Sequence, residues 1–344
     1  MDNLTKLPFV IPECQTYPLN TGINGILEAY NDAEIWMYNN YITLWTYKNT
    51  YNKKYQVDFR FDLTKDCREI CTKINIEYLD IFKEDNIIDV IKEQISKKKY
   101  LFFSVDTFYL ELWWYDKSSI EHTEHQELVI GYNDEEEKVL VADFFKGRYS
   151  VQEIDYLKFR MAYDAHAGYL RDIYNKKAVQ IMLYQYNASK NEKLEIKRIK
   201  GMINDFLSSE ENTINDESEA FVKAEVVYGM KCLNKIINCF EERIKTKEWL
   251  DYRVIHLIYL FNEIMGKRIQ YMIDNKYLQE TKEIKQNKID FLNILEQIKK
   301  LRTRVIKYNI RRNDGEVIVN ILKNLYLAEE KSLCKLRKIL KEIE

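Results

Sequence analysis

Proline is scarce in this chain: the 344 residues include three prolines, Pro8, Pro12 and Pro18. Because proline interrupts helices and inner strands, its absence after residue 18 permits long uninterrupted elements. Glycine is also scarce, with 9 residues, and no two of them have the GxGxxG or GxxxxGK spacing of a phosphate-binding loop. We therefore do not expect nucleotide chemistry.

Neither sign of charge dominates, since 53 basic and 55 acidic residues leave a net charge of −2. This balance gives no global reason to bind nucleic acid or an anionic membrane. No apolar run approaches the roughly 18 residues that span a bilayer. The opening MDNLTKLPFVIPEC lacks the charged and apolar regions of a signal peptide. We expect a cytoplasmic protein whose six cysteines are mostly reduced.

The hydrophobic pattern changes near residue 188. Before it, strand-like alternation accompanies amphipathic stretches: strands are predicted at 100–105, 125–132, 138–145 and 176–186, and helices at 21–30, 35–45 and 87–98. From about Asn191 helical periodicity dominates and strand signals vanish; a 3-4-3-4-3 apolar seam runs from Phe291 to Tyr308. The prediction is an α+β domain over residues 1–188, followed by an all-α helical bundle over residues 189–344.

A histidine and an aspartate occupy matching ends of the predicted hairpin. His125 opens HQELVIGY and Asp143 lies near the end of KVLVADFF, so antiparallel pairing makes them neighbours. A carboxylate beside one ring nitrogen fixes the tautomer and leaves the other nitrogen for a nucleophile. Cys14 precedes the first predicted helix, whose N-terminus favours a thiolate. The sequence predicts a catalytic triad with Cys14 as nucleophile, His125 as base and Asp143 as the orienting group.

The residues around this hairpin resemble a known family. HxxH (His122 and His125), an apolar strand, Gly131, an acidic turn and VxVAD ending at Asp143 resemble the C39-type papain-like cysteine peptidases. The match is closer to the N-terminal domain of the butirosin-biosynthesis acyltransferases. The preceding SVDTFYLELWWY and the early cysteine before a helix fit the same pattern, so the resemblance covers about residues 5–150. It implies a papain-like fold for the first domain.

The resemblance also implies an activity. Members of this group move an acyl chain from a carrier-protein thioester to an amine, and a related amide synthetase does so in closthioamide biosynthesis. The expected partners are an acyl carrier protein bearing a phosphopantetheine thioester and an amine acceptor, in nonribosomal peptide-type antibiotic biosynthesis. No cofactor and no metal are implied. Papain-like peptidases carry a glutamine about six residues before the cysteine, where this chain has Pro8. The oxyanion would then rest on the Cys14 backbone N–H and a second donor, for which Gln15 is a candidate.

Other interpretations stay open. The same fold is compatible with a cysteine peptidase, or with a non-catalytic interaction module whose helical half binds a partner or forms a homo-oligomer. His122 and His125, with Glu121, Glu124 or Glu127, offer metal ligands at a spacing that is common on surfaces. His166 is predicted in a loop and is a distant alternative base. The pairs Cys67/Cys71 and Cys232/Cys239 have helical spacing and are expected to be buried.

Overall fold

The chain, described here from a computed structural model, divides into two compact units. The structure describes residues 4–12, 15, 18–31, 33–42, 44–47, 73–110, 122–145, 148–188, 193–209 and 226–342. The first unit comprises Met1–Ala33 and Cys67–Glu192, and the second comprises Glu34–Asp66 and Lys193–Glu344. The sequence-based division placed Glu34–Asp66 in the first domain. The structure corrects this, because that segment belongs to the second unit.

An antiparallel sheet of seven strands forms the centre of the first unit. Its order is β3-β8-β4-β5-β6-β7, with β1 beside β5. The strands are β1 Leu4–Lys6, β3 Ile74–Phe82, β4 Tyr100–Asp106, β5 Glu124–Asn133, β6 Lys138–Phe145, β7 Arg148–Asp155 and β8 Ala178–Tyr186. The four strands predicted between residues 100 and 186 are all confirmed within a few residues.

Helices cover both faces of this sheet. Leu128 of β5 faces the first helix, α1 (Pro18–Ala29), since a Cβ added at Gly22 would lie 3.0 Å from its Cδ2. Neighbouring strand residues point to opposite faces, and directly paired residues share a face. Phe103, paired with Glu127, therefore lies on the other face, where its ring meets Phe159. That face carries α3 (Ile87–Ser96) and α4 (Tyr156–Tyr174), which contact each other.

Helix α4 contradicts the sequence-based prediction, which placed His166 in a loop. Its buried residues follow the helical pattern i, i+3, i+4, i+7, i+8 and are Phe159, Ala162, Tyr163, His166 and Ala167. Exposed apolar side chains interrupt the outer face of the helix: Leu157, Met161, Tyr169 and Ile173 are 70%, 44%, 61% and 54% exposed. An apolar residue on both faces hides the amphipathic period that marks a helix in a sequence.

The second unit is mostly helical. Its helices are α2 Ala33–Asn40 (from Glu34 onward), α5 Ile196–Ser208, α6 Met230–Lys245, α7 Arg253–Asp274, α8 Lys282–Arg311 and α9 Gly315–Lys341. The predicted seam is confirmed, because Phe291, Ile294, Ile298, Leu301, Val305 and Tyr308 are all buried in α8. Cys232 and Cys239 are buried in α6, as their spacing predicted; Cys67 and Cys71 lie outside the described residues.

Two short strands correct the prediction for this unit. Helix α2 ends at Asn40, and Trp45, predicted in that helix, begins β2 (Trp45–Tyr47). This strand pairs with β9 (Val226–Tyr228), in a region where no strand was predicted. Three residues are too few to show a period-two pattern, and their partners are far apart in the sequence.

The protein is thus a mixed helix-and-sheet chain with a helical C-terminal region. Among the described residues, none of the helices has the length and apolar character that crossing a membrane requires.

Candidate functional site

The hairpin of β5 and β6 brings His125 and Asp143 together. Leu128 pairs with Ala142, so the preceding residue of β5, Glu127, lies opposite the next residue of β6, Asp143. His125, two residues before Glu127, is the diagonal neighbour of Asp143 on the same face. The Nδ1 atom of His125 lies 2.8 Å from Oδ2 of Asp143. Imidazole and carboxylate therefore meet at ion-pair distance, at the end of the hairpin that the sequence predicted.

The two partners differ in their exposure to solvent. The side chain of Asp143 is 0% exposed and that of His125 is 20% exposed. His125 is the second residue of β5, and its neighbour Gln126, on the opposite face, is exposed. A fixed carboxylate therefore holds a ring that an incoming group can still reach, which is the arrangement of a base and its orienting residue.

A second carboxyl group joins this pair. Oε1 of Glu127 lies 3.9 Å from Nδ1 of His125, and the Glu127 side chain is 0% exposed. Burial, followed by the charge of Asp143 and a hydrogen bond with it, raises the pKa of Glu127 well above its ordinary value. Two carboxylates this close cannot both ionise without a large energetic cost. Burial beside Asp143 therefore favours the protonated form of Glu127.

Tyr149 of β7 lies on the opposite side of the sheet from these carboxyl groups. Its hydroxyl donates to the carbonyl oxygen of Ala142 at 3.3 Å. Burial, and then the charges of Asp143 and Glu127, raise the pKa of Tyr149 well above its ordinary value. This phenol stays protonated and acts as a hydrogen-bond donor rather than a base.

The other histidines have different partners. Nδ1 of His122 lies 2.6 Å from Oδ2 of Asp106, and the ring stacks on Phe108 with centroids 4.3 Å apart. His122 thus pairs with Asp106. The metal site considered from the sequence needed His122 and His125 together, and the structure does not bring these two rings to a common partner. Nε2 of His166 lies 3.7 Å from Oε1 of Glu124. In the second unit burial lowers the pKa of His256 to about 4, so that ring is neutral at physiological pH.

The predicted nucleophile, Cys14, lies outside the described residues. The same holds for Glu121 and for the last residues of the SVDTFYLELWWY stretch, Trp113, Trp114 and Tyr115. Helix α1 packs on the Leu128 face, opposite to the face of Glu127. Gln15 is the candidate oxyanion donor. Its side-chain Nε2 donates to the carbonyl oxygen of Pro12 at 3.2 Å.

Three of these side chains also offer ligand atoms for a cation. One atom each of His125, Glu127 and Asp143 lies within 4.8 Å of the others. The 2.8 Å distance between the ring nitrogen of His125 and the Asp143 oxygen is also that of an imidazole–carboxylate ion pair.

Comparison with protein-family models gives no match to this chain. Comparison with curated proteins also finds no match.

The sequence indicated His125 and Asp143 as a pair but gave Glu127 no role beyond a candidate metal ligand. The signal was available: Glu127 is two residues from His125 in the same strand, so both point to one face. Buried apolar residues follow at once in the strand, which makes a charged residue at that position unusual.

Proposed function

We propose that this protein is a cysteine-dependent acyltransferase of papain-like architecture that forms an amide bond. The observation that carries the proposal is the 2.8 Å contact between Nδ1 of His125 and a fully buried Asp143. Such a contact keeps the proton on Nδ1 and leaves Nε2 as the basic atom. The proposal includes a cytoplasmic location, and a carrier protein with a phosphopantetheine thioester as acyl donor.

The reaction has two steps in this proposal. His125 takes the proton of the Cys14 thiol, and the thiolate attacks the thioester carbonyl. A new C–S bond forms, the carrier C–S bond breaks, and the leaving thiolate takes the proton from His125. An amine then attacks the acyl-cysteine while His125 accepts a proton from its nitrogen. The amide leaves, the Cys14 thiolate regains a proton, and donor and acceptor have become amide and free carrier thiol.

Two alternatives differ in the acyl donor or in the use of the site. A peptidase would form the same acyl-enzyme from a peptide and release it to water. An interaction module would leave Cys14 with the reactivity of an ordinary thiol, and the helical unit would bind the partner. The acyltransferase is favoured over the peptidase because a thioester is the more reactive electrophile, which suits a site with no glutamine ahead of the cysteine.

Intact-protein mass spectrometry with a small acyl thioester tests the proposal. We expect wild type to gain one acyl group, Cys14→Ala to gain none, and His125→Ala to react about 100-fold or more slowly. Cys334→Ala is the matched control, because Cys334 is a partly exposed free thiol in α9, and it should react like wild type. Amines added afterwards should release the acyl group as an amide.

Three results would contradict the proposal. Equal labelling of Cys14→Ala would exclude the nucleophile. Cleavage of peptides without reaction with thioesters would identify a peptidase. No adduct, together with ordinary iodoacetamide reactivity of Cys14, would leave the interaction module.

A further inference from the structure

Glu127 is the one fully buried charged residue on the described part of β5. It lies directly across the hairpin from Asp143, with both side chains at 0% exposure. Neither carboxyl oxygen of Glu127 meets a hydrogen-bond donor of good geometry among the described residues. A buried carboxylate without donors is costly, and two side by side are more so. One proton shared between them removes one charge and supplies the missing donor.

From this arrangement we propose that Glu127 is a positioning residue. Its carboxyl group carries a proton and donates it in a hydrogen bond to Asp143, which keeps the second Asp143 oxygen directed at Nδ1 of His125. This inference rests on the proposed function of the site, since it assigns Glu127 to the same base. Asp143 then carries a single, localised negative charge, and the imidazole is held in one tautomer.

The surroundings of Glu127 support a proton rather than a counter-cation. The charge that acts on it most strongly is that of Asp143. The titratable groups on its face of the sheet are His125 on its own strand, Asp143 on β6, and Tyr163 and His166 among the buried residues of α4. Tyr149 on β7 acts on it from the opposite side of the sheet, and α3 contributes the cation of Lys92. Lys92 pairs with Asp134 and thus lies at the opposite end of β5. Tyr163 is held neutral by burial, which raises its pKa.

A protonated Glu127 has a consequence for pH. In the unfolded chain this carboxyl ionises near its ordinary pKa of 4.5, whereas in the folded chain its pKa is raised. The folded state therefore binds more protons than the unfolded state above pH 4.5. The contribution of Glu127 to the free energy of unfolding is fully present below pH 4.5, and it is lost as the pH rises through the folded pKa. In this proposal the alignment of His125 is lost as the pH rises through the folded pKa of Glu127.

Three variants test the assignment. Glu127→Gln keeps a neutral donor of the same shape, Glu127→Leu keeps the volume without a donor, and Glu153→Gln on β7 is an exposed control. The rate of Cys14 acylation is followed between pH 6 and 9 beside urea unfolding at the same pH values. The tautomer of His125 is read from nitrogen-15 spectra of histidine-labelled protein.

We expect Glu127→Gln to be acylated faster than Glu127→Leu, to lose the decline of the rate above the pKa of Glu127 and to flatten the pH dependence of unfolding. Glu127→Leu should slow acylation about tenfold, the loss expected from one hydrogen bond to a charged group. It should also mix the His125 tautomers, which a merely structural role would not do. Glu153→Gln should match wild type in every measurement.

Two results would overturn the assignment. The first is a Glu127→Gln variant as slow as Glu127→Leu, because then the charge and not the proton is needed. The second is a stoichiometric divalent ion in the native mass spectrum that Glu127→Gln loses. If wild type is not acylated at all, the proposed function fails, but the unfolding and tautomer measurements still decide whether Glu127 holds a proton beside His125.

Discussion

At the scale of single residues, Glu329 is a buried acid far from the candidate site in sequence. Its side chain is 1% exposed in α9, and Asn262 of α7 donates to its Oε1. Its Oε2 meets no donor among the described residues. Burial raises the pKa of Glu329 to about 8, against the opposing effect of Asn262. This carboxyl is therefore protonated in the folded protein at neutral pH.

We expect Glu329→Gln to stabilise the protein at neutral pH. Between pH 4.5 and about 8 the folded state keeps this proton and the unfolded state loses it. The free energy of unfolding therefore falls as the pH rises, by about 3 kcal/mol at pH 7. The glutamine side chain cannot ionise, so that loss should disappear when urea unfolding is measured from pH 5 to 8. Glu330→Gln, at the exposed next position, is the control; equal slopes in both variants would refute the assignment.

At the scale of elements, Gly131 determines how β1 attaches to the sheet. Gly131 pairs with Lys6 of β1 on one side and with Leu140 of β6 on the other, beside an irregularity in the β5–β6 register. A Cβ at this position would overlap the carbonyl oxygen of Thr5 and lie 2.9 Å from Cα of Lys6. Because both obstacles are backbone atoms, rotation of a side chain cannot relieve the clash.

Gly131→Ala should detach β1 and cost about 1–3 kcal/mol of stability. Hydrogen exchange should accelerate at the backbone amides of β1, and thermal unfolding should shift downward. Gly168→Ala in α4 is the contrasting variant, because nothing lies within 4 Å of its added Cβ. A helical glycine replaced by alanine in open space should gain about 0.5–1 kcal/mol. Equal effects of the two substitutions would show that β1 does not depend on this close approach.

At the scale of the whole molecule, the second unit is assembled from two stretches of chain. The fully buried guanidinium of Arg268 in α7 donates from Nε to the carbonyl oxygen of Tyr38 at 2.7 Å and from Nη2 to that of Tyr41 at 3.1 Å. These carbonyls lie at the end of α2, where a helix leaves such groups without intrahelical partners. Burial lowers the pKa of Arg268 to about 9. The segment from Glu34 therefore supplies two carbonyl acceptors to a buried guanidinium of the helical region.

A fragment of residues 189–344 should not fold like the same region in the full chain. It lacks β2 and the two carbonyl acceptors of Arg268, and a buried cation that loses these oxygen partners is strongly destabilising. Circular dichroism with urea should show reduced cooperativity, and joining residues 34–66 ahead of Lys193 through a flexible linker should restore it. Arg268→Met should destabilise the linked form but change the bare fragment much less. A fragment that unfolds as cooperatively as the linked form would contradict this two-stretch assembly.

Much of the sheet and part of the site could be predicted because they are local. A hairpin joins strands that follow each other in sequence, so alternation and one turn were enough to bring His125 next to Asp143. The seam of α8 was readable for the same reason, as its buried positions recur at a fixed spacing within one helix. Helix α4 could not be read, since apolar side chains such as Leu157 and Met161 on its exposed face mask its period.

Contacts between distant stretches of chain were beyond the sequence. The pairing of β2 with β9, the acceptors of Arg268 and the membership of Glu34–Asp66 in the second unit depend on which surfaces bury each other. The hydrophobic pattern of each stretch does not show which partner it packs against. The hydrophobic effect is non-directional, so many different surfaces could bury the same apolar residues. The sequence was sufficient for the His125–Asp143 pair, since strand geometry fixes neighbours across a turn. The raised pKa of Glu127, the third group of the cluster, was decided only by the tertiary structure, because its largest cause is burial and not residue type.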